Sequence, residues 1–252
     1  MDFKDKVVII TGASSGIGAD CAKHLSKLGA DLTITGRNLE NLQKVAQNCQ
    51  NAPLILTGEI TDTAFTKTLV DETVKKYGKI DVLINNAGML ETGTIETTSL
   101  EQYDKIMNVN MRSVYHLTML AVPHLIKSKG NIVNVSSVNG IRSFPGVLAY
   151  NISKAALDQF TRCVALELAV KQVRVNSVNP GVIVTEIHKR GGMDEDTYNK
   201  FLEHCKSTHA LARPGQVSEV SNAIAFLASE QSSFITGATL PVDGGRHAMC
   251  PR

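Results

Sequence analysis

The sequence predicts a doubly wound α/β fold: a seven-stranded parallel sheet with helices on both faces, in a single domain. Three observations carry that expectation. Short apolar runs alternate with longer segments of helical period along the 252 residues. The runs are continuously apolar, as strands covered on both faces require, and not alternately apolar and polar. The sequence contains no linker, repeat or low-complexity tract that would divide them, and its length suits one large α/β domain.

In chain order, strands are expected at residues 7–10, 32–35, 54–56, 82–84, 132–135, 173–178 and 239–242. After the first strand, Ile17, Cys21, Leu25 and Leu28 form one apolar helical stripe. Ser99 followed by Gln102 predicts a capping box opening a long helix over residues 100–128. Residues 150–157 have helical composition. Residues 186–216 break the alternation, are polar, and contain Gly191-Gly192. A long insert in a compact domain is more often functional than accidental, so this segment is expected to be a mobile substrate lid with a helix around 197–205.

Composition narrows the class. Hydrophobic residues make up 43% and charged residues 20%, and 26 basic against 24 acidic residues leave a net charge of only +2. A broad basic field for nucleic acid or anionic membrane is therefore not expected. Five dispersed cysteines without a CxxC spacing suggest free thiols in a reducing, cytoplasmic setting. His204, Cys205 and His209 lie close in sequence but lack a full ligand set, so a polar surface helix is expected there and not a metal site. The N-terminus runs directly into a strand pattern with no leader signature, and no apolar run approaches the ~20 residues a membrane span needs.

The first strand ends in Thr11-Gly12-Ala13-Ser14-Ser15-Gly16-Ile17-Gly18. Glycines at a strand–helix junction let the backbone turn tightly and approach a pyrophosphate seated on the helix N-terminus. Gly12, Ser14, Ser15, Gly16, Ile17 and Gly18 are therefore candidate dinucleotide contacts. The run Thr35-Gly36-Arg37-Asn38 follows the second strand, where an acid would accept from a ribose 2′-hydroxyl. Gly36 stands in that place and Arg37 follows. A guanidinium holds a 2′-phosphate, and no carboxylate in that turn repels it, so NADP(H) is the expected cofactor. With Ser15 neutral, no second cation is expected in the loop.

Tyr150 and Lys154 are four residues apart, which places both on one helix face. An ammonium near a phenol is expected to lower its pKa from ~10 toward neutrality. Ser136-Ser137 ends the strand at 132–135, at the carboxyl edge where doubly wound sheets bind ligands. Asn85-Asn86-Ala87-Gly88 ends the preceding strand, and Asn110 sits inside a helix that disfavours it.

These elements together resemble the short-chain dehydrogenase/reductase family over essentially the full chain, in its β-ketoacyl-carrier-protein-reductase-like branch. The matching elements are residues 11–18 and 85–88, Asn110, Ser137, Tyr150-x-x-x-Lys154, Pro180-Gly181 with Thr185, and Asp243-Gly244-Gly245. The resemblance implies a Rossmann fold and interconversion of a ketone and a secondary alcohol. It implies that Tyr150 gives the proton, Ser137 polarises the carbonyl, Lys154 holds the nicotinamide ribose and tunes Tyr150, and Asn110 holds a relay water. It further implies that Asn86, Ala87 and Gly88 pack on the cofactor. Pro180, Gly181, Ile183 and Thr185 would fix the nicotinamide amide, and Glu59 and Ile60 would flank adenine. Glu59 stands where relatives often carry Asp, and Ser15 where NADP(H)-using relatives are often basic.

Substrate contacts are expected from Ser137, Asn139, Phe144, Leu148, Tyr150, Val182, His188 and Met193, with Met89 and Leu90 nearby. Their apolar character favours a lipophilic ketone such as a steroid or fatty-acyl carbonyl. Arg142, Lys189 and Arg190 are expected to be solvated surface cations. The competing reading from another class is a catalytically silent NADP(H)-binding regulatory protein. Sugar-nucleotide epimerases share Tyr-x-x-x-Lys but generally need a larger substrate domain, and related enoyl reductases place Lys further from Tyr. The Tyr150 helix also carries Ile152, Ala156, Phe160 and Cys163 on its other side; a helix apolar on two faces must be buried on both, with residues 100–128 as its partner, and the resemblance implies a homotetramer with two-fold axes.

Overall fold

Seven short apolar runs become seven parallel strands, at nearly the expected positions. A computed structural model of the chain describes residues 1–250. The strands are β1 (Val7–Ile10), β2 (Asp31–Gly36), β3 (Leu54–Thr57), β4 (Val82–Asn85), β5 (Asn131–Val135), β6 (Arg174–Pro180) and β7 (Thr239–Val242). They form one sheet in the order β3-β2-β1-β4-β5-β6-β7. Connecting them are α1 (Gly16–Lys27), α2 (Leu39–Ala46), α3 (Thr63–Tyr77), α4 (Leu100–Met107), α5 (Ser113–Ser128), α6 (Leu148–Ala169), α7 (Ile187–Arg190), α8 (Glu195–Thr208) and α9 (Val217–Ala228).

Alternate strand residues feed two cores, one on each face of the sheet. Val8, Ile10, Leu32, Ile34, Ile84 and Val133 pack with Cys21 and Leu25 of α1, Leu42 of α2 and Ile224 of α9. Ile9, Leu83, Ile132 and Val175 point the other way, against Leu69 of α3, Leu117 and Leu125 of α5, and Ala165 of α6. The α1 stripe read from sequence is part of the first core, with Ile17 and Leu28 partly buried at its edge. Burial of a Leu or Ile contributes ~1.5–3 kcal/mol, so continuous apolar strands are what a sheet covered on both faces demands.

The helix expected over 100–128 is present but interrupted. Between α4 and α5 the residues Asn108–Arg112 form a π turn. The Ser99 side chain accepts from the Gln102 backbone N–H, as expected. The reciprocal half of the box is missing, because the Gln102 amide donates to the Thr92 carbonyl at 2.8 Å. Residues 186–216 hold α7 and α8, the latter extending beyond both ends of the helix expected around 197–205. Among the described residues, no helix is long and apolar enough to cross a membrane.

Helices α5 and α6 leave an apolar surface toward solvent. Tyr115, Met119, Ile152 and Leu166 are all exposed, Leu166 by 79%. Phe160 packs on Tyr115 with ring centres 5.8 Å apart. Cys163 is exposed, while Ala156 and Phe160 are half-buried.

Candidate active site

The chain reverses direction across the sheet between β1, which leads outward to β2 and β3, and β4, which leads to β5, β6 and β7. The carboxyl ends of β1 and β4 therefore diverge into a crevice, the position at which open α/β sheets bind ligands. The turn after β1 is drawn tightly onto the turn after β4. Asn86 donates its side-chain N–H groups to the carbonyls of Thr11 and Gly12 at 2.8 and 3.1 Å. The Thr11 hydroxyl in turn accepts from the backbone N–H groups of Asn86 and Ala87, both at 2.9 Å. Gly12 has φ of +63°, and a Cβ there would lie 2.9 Å from the Ala87 Cα. Only glycine allows both the left-handed turn and this approach.

The cleft that results has a volume of about 1120 Å³, more than one small ligand fills. Of the residues singled out from sequence, Gly12, Ser14, Ser15, Gly16, Ile17, Arg37, Glu59 and Ile60 line one end. Asn86, Ala87, Gly88, Lys154, Pro180, Gly181, Ile183 and Thr185 line its middle, and Ser137, Asn139, Phe144, Tyr150, Val182, His188 and Met193 complete the other end. Three do not line it. Gly18 lies beneath the loop, where a Cβ would collide with the Gly12 carbonyl and the Asn86 side chain. Leu148 lies two residues from Tyr150, about 200° round the helix and so away from the cleft; Val147 lines it in its place. Asn110 is buried below the wall at 1% exposure.

Asn110 is a strut. Its oxygen accepts from the Met89 N–H at 2.8 Å, and its amide donates to the Met89 carbonyl at 2.9 Å and the Ser153 hydroxyl at 3.0 Å. Ser153 donates onward to the Tyr150 carbonyl at 2.8 Å. The side chain thus ties the segment after β4 to the helix that carries Tyr150, and both of its amide N–H groups are spent on these contacts. The π turn at this residue is the kind of helix defect often found beside functional sites.

Tyr150 and Lys154 occupy one face of α6, as their spacing requires, and are buried to 7% and 4% exposure. Lys154 donates to the Val135 carbonyl at 2.9 Å, and its Nζ stands 5.6 Å from the Tyr150 ring centre. Ser137 follows β5, and its carbonyl accepts from the Asn179 amide at 2.8 Å. Asn179 is itself held by Asp158 at 2.8 Å. Sequence reasoning missed Asn179 and Asp158. Their signal was weak, a buried polar pair from a strand and a helix that no spacing rule links.

The electrostatics correct another expectation. Burial pushes the Tyr150 phenol up to about 12, with the Ser137 side chain acting in the opposite direction. Burial also pushes Lys154 down to about 8, with Asp158 opposing. In the chain alone, burial is the largest influence on the phenol and keeps it protonated.

At the far end of the cleft, two readings made from sequence change. A carboxylate does approach Arg37: Glu59 lies 3.7 Å away. β3 pairs with β2, so the turn following β3 sits beside the turn following β2. A second cation is also present. Arg190, at the end of α7, donates to the Ser15 hydroxyl at 2.8 Å. It is brought from 175 residues away in sequence, which is why the glycine loop alone gave no hint of it.

The segment over the other end is packed down. Tyr198 of α8 is buried and donates to the Thr185 carbonyl at 2.9 Å. His209, with Cys205, is buried instead of lying on a polar surface helix; its Nε2 accepts from the Val182 N–H at 3.3 Å. His204 alone of that trio is exposed. His188 packs on Phe201 with ring centres 4.7 Å apart. Of the cations expected in solvent, Arg142 donates to the His247 carbonyl at 2.7 Å and Lys189 pairs with Glu195 at 2.6 Å.

Comparison with known proteins agrees with this geometry. A family model described as enoyl-(acyl carrier protein) reductase matches residues 12–247. The chain is 39% identical to a 3-oxoacyl-(acyl-carrier-protein) reductase of Thermotoga maritima, over 97% of this chain and 99% of that protein. The chain belongs to the short-chain dehydrogenase/reductase family. It is 36% identical to the meso-2,3-butanediol dehydrogenase of Serratia marcescens, over 98% and 97% of the two chains. A solved short-chain dehydrogenase/reductase of unknown function from Caenorhabditis elegans, crystallised with cofactor, superposes with a TM-score of 0.91 at 37% identity, covering 98% of this chain and 97% of that one.

Short-chain dehydrogenases/reductases bind NAD(P)(H), and the residues present fit such a group. The Gly12 turn leaves backbone room that any Cβ would take from Ala87. Helix α1 begins at Gly16 with no acidic residue in its first turn and no side-chain cap on its free N–H groups, as a pyrophosphate seat requires. Buried Lys154 faces the glycine at 88, where a Cβ would be 3.6 Å from its Nζ.

Proposed function

We propose that this chain is an NADP(H)-dependent carbonyl reductase that interconverts a ketone and a secondary alcohol. The observation that carries the reading is the convergence of Ser137, Tyr150 and Lys154 on one wall of the cleft. Tyr150 is a buried, protonated phenol and donates the proton to the carbonyl oxygen. Ser137, its backbone fixed by Asn179, donates a hydrogen bond to the same oxygen and polarises it. Lys154 binds the ribose beside the nicotinamide and returns a positive charge to the neighbourhood of the phenol. When bound, the dinucleotide supplies the hydride. Asn110 positions the Tyr150 helix, and any relay water behind Lys154 is held by its main chain. The four-residue spacing of Tyr150 and Lys154 favours carbonyl over enoyl reduction. The five unpaired thiols suit a cytoplasmic, reducing setting. The deciding experiment follows NADPH and NADH oxidation side by side over a panel of ketones. Binding of dinucleotide without turnover of any ketone would replace this reading with a silent, cofactor-sensing protein.

Residues 186–216 act as a lid that closes over the substrate end and excludes water. Burial, and then the nearby Arg246 charge, push the His188 pKa down from 6.5 to about 4. A closed lid therefore binds fewer protons than an open one. Closure is fully favoured above pH 6.5 and weakens as pH falls toward 4. Hydrogen exchange in residues 186–216, corrected for the intrinsic rate, is expected to accelerate across that window, and His188→Phe to reduce the acceleration, leaving the part due to His209, which burial lowers as well. Protection in the parent that does not change with pH would refute the coupling.

Assembly into a homotetramer is supported by the exposed apolar face of α5 and α6. Phe234 is fully exposed as well, and β7 forms one edge of the sheet. A helix face and a sheet edge meet the need of a tetramer with two-fold axes. Sedimentation at micromolar concentration is expected to give four chains; a monomer would refute it.

A further inference from the structure

The substrate end of the cleft is walled mainly by apolar groups, and one cation stands among them. Arg246 opens the single turn Arg246–Ala248 after Asp243-Gly244-Gly245 and lines the cleft with Phe144 and His188. Its guanidinium lies over the Phe144 ring, 4.4 Å from the centre. Its Nε is buried and has no hydrogen-bond partner. Among the described residues, no carboxylate lies within 4.0 Å of the guanidinium. The acid nearest in sequence, Asp243, is already engaged: it accepts from the N–H groups of Gly245 and His247 at 3.0 and 2.7 Å and from the His247 ring at 2.9 Å. Arg142 holds the His247 carbonyl and keeps the turn in place.

A guanidinium always carries its charge at neutral pH; burial of Arg246 outweighs the attraction of Asp243, which lies beyond ion-pair distance, and a half-buried charge without a paired counter-ion is costly. Proteins rarely leave such a group unanswered. The ring of Phe144 covers one face of the guanidinium and its Nε is enclosed, so the two terminal Nη groups are the part a ligand in the cleft can reach. That end, two parallel N–H groups, matches a carboxylate in bidentate geometry. His188 beside it is neutral and adds no competing charge.

The same wall is joined to the reacting end. Phe144 accepts through its carbonyl from Asn151 at 2.8 Å, Asn151 accepts from Asn139 at 2.7 Å, and Asn139 exchanges hydrogen bonds with Ser137 at 3.1 Å. A carbonyl held by Ser137 and an anion held over Phe144 are thus positioned by one connected set of side chains.

We infer that Arg246 anchors a carboxylate of the substrate, so that the chain reduces a keto acid whose apolar stem lies between Ser137 and Phe144. This rests on the ketone-reductase reading and narrows its substrate. In the reverse direction the substrate is the corresponding hydroxy acid.

The test uses unbranched keto acids of increasing carbonyl-to-carboxylate separation, each beside its methyl ester, with NADPH and the full chain. At the best length, kcat/KM for the acid is expected to exceed that for the ester by at least about tenfold, the scale of one charged hydrogen-bonded pair. Arg246→Met is expected to erase that ratio, and Arg246→Lys, which keeps the charge without the fork, to retain part of it. Preference for the ester at every length, or an undiminished acid preference in Arg246→Met, would overturn the inference. Unfolding temperature checks that each variant folds. Should Arg246→Met fail to fold, the ratio in the parent and in Arg246→Lys decides. Calorimetric titration of saturated monocarboxylates into the NADP⁺-loaded protein needs no turnover. Arg246-dependent binding there, with no ketone reduced, would sink the reductase reading and leave the anion site standing. Ketones reduced without regard to charge, with no carboxylate bound, would do the reverse.

Discussion

Tyr150→Phe is expected to lower kcat for ketone reduction by ~10²–10⁴ while leaving NADPH binding nearly intact. The substitution removes one hydroxyl and keeps the ring, which is 7% exposed and packed in the wall of the cleft. On the proposed reading, binding of the dinucleotide would draw on contacts elsewhere, at the Gly12 turn, at Lys154 and at Thr185. Chemistry would draw on the phenol alone for its proton, since Ser137 is bonded to Asn139 and has no stronger acid behind it. Steady-state rates on the best ketone of the panel, together with NADPH titration by fluorescence, separate the two effects. Activity within about tenfold of the parent would remove Tyr150 from the acid/base role.

The elevated phenol pKa, about 12 in the chain alone, suits the direction of reduction. A reductase needs a proton on Tyr150 when the carbonyl arrives, and burial keeps it there at neutral pH. Oxidation of the alcohol needs the phenolate, so its rate is the one that rises with pH. Whatever lowering the phenol undergoes must come from groups that enter the cleft with the ligands. Lys154 gives one of its three N–H groups to the Val135 carbonyl.

The fold was legible because each of its strands is a continuous apolar run and each turn at the carboxyl edge carries a spacing with a physical meaning. Tyr150 and Lys154 were legible for the same reason: a separation of four residues fixes a shared helix face regardless of tertiary context. What escaped were contacts made by residues distant in sequence. Arg190 reaches Ser15 from the far side of the chain, Glu59 approaches Arg37 through strand pairing, and Arg246 enters the cleft from the last turn. None of these has a local pattern. His209 and Cys205 were misplaced on a surface because their helix is polar by composition, although its buried side faces Val182. Leu148 was expected in the cleft, and helical rotation from Tyr150 turns it away.

Cofactor choice gives the second large effect. The parent is expected to favour NADPH over NADH by at least about tenfold in kcat/KM, on the scale of one charge-assisted hydrogen-bonded pair. Arg37→Asp is expected to collapse or invert that ratio, because a phosphate bearing nearly two negative charges would then meet a carboxylate where it met a guanidinium. Glu59 sharpens the expectation. The Arg37–Glu59 pair is long, at 3.7 Å, and the Arg37 side chain is 74% exposed, so it is worth little and yields readily to a 2′-phosphate. In Arg37→Asp the same Glu59 becomes a second repelling carboxylate, whereas Glu59→Gln in the parent should raise the preference for NADPH. Among the described residues, Arg190 on Ser15 is the other cation at this end of the cleft. Any preference that survives in Arg37→Asp should therefore vanish when Arg190→Ala is added. Measured ratios for the parent and these variants decide the matter: a parent that prefers NADH, or a ratio unmoved by Arg37→Asp, would show that the turn after β2 does not read the 2′-phosphate.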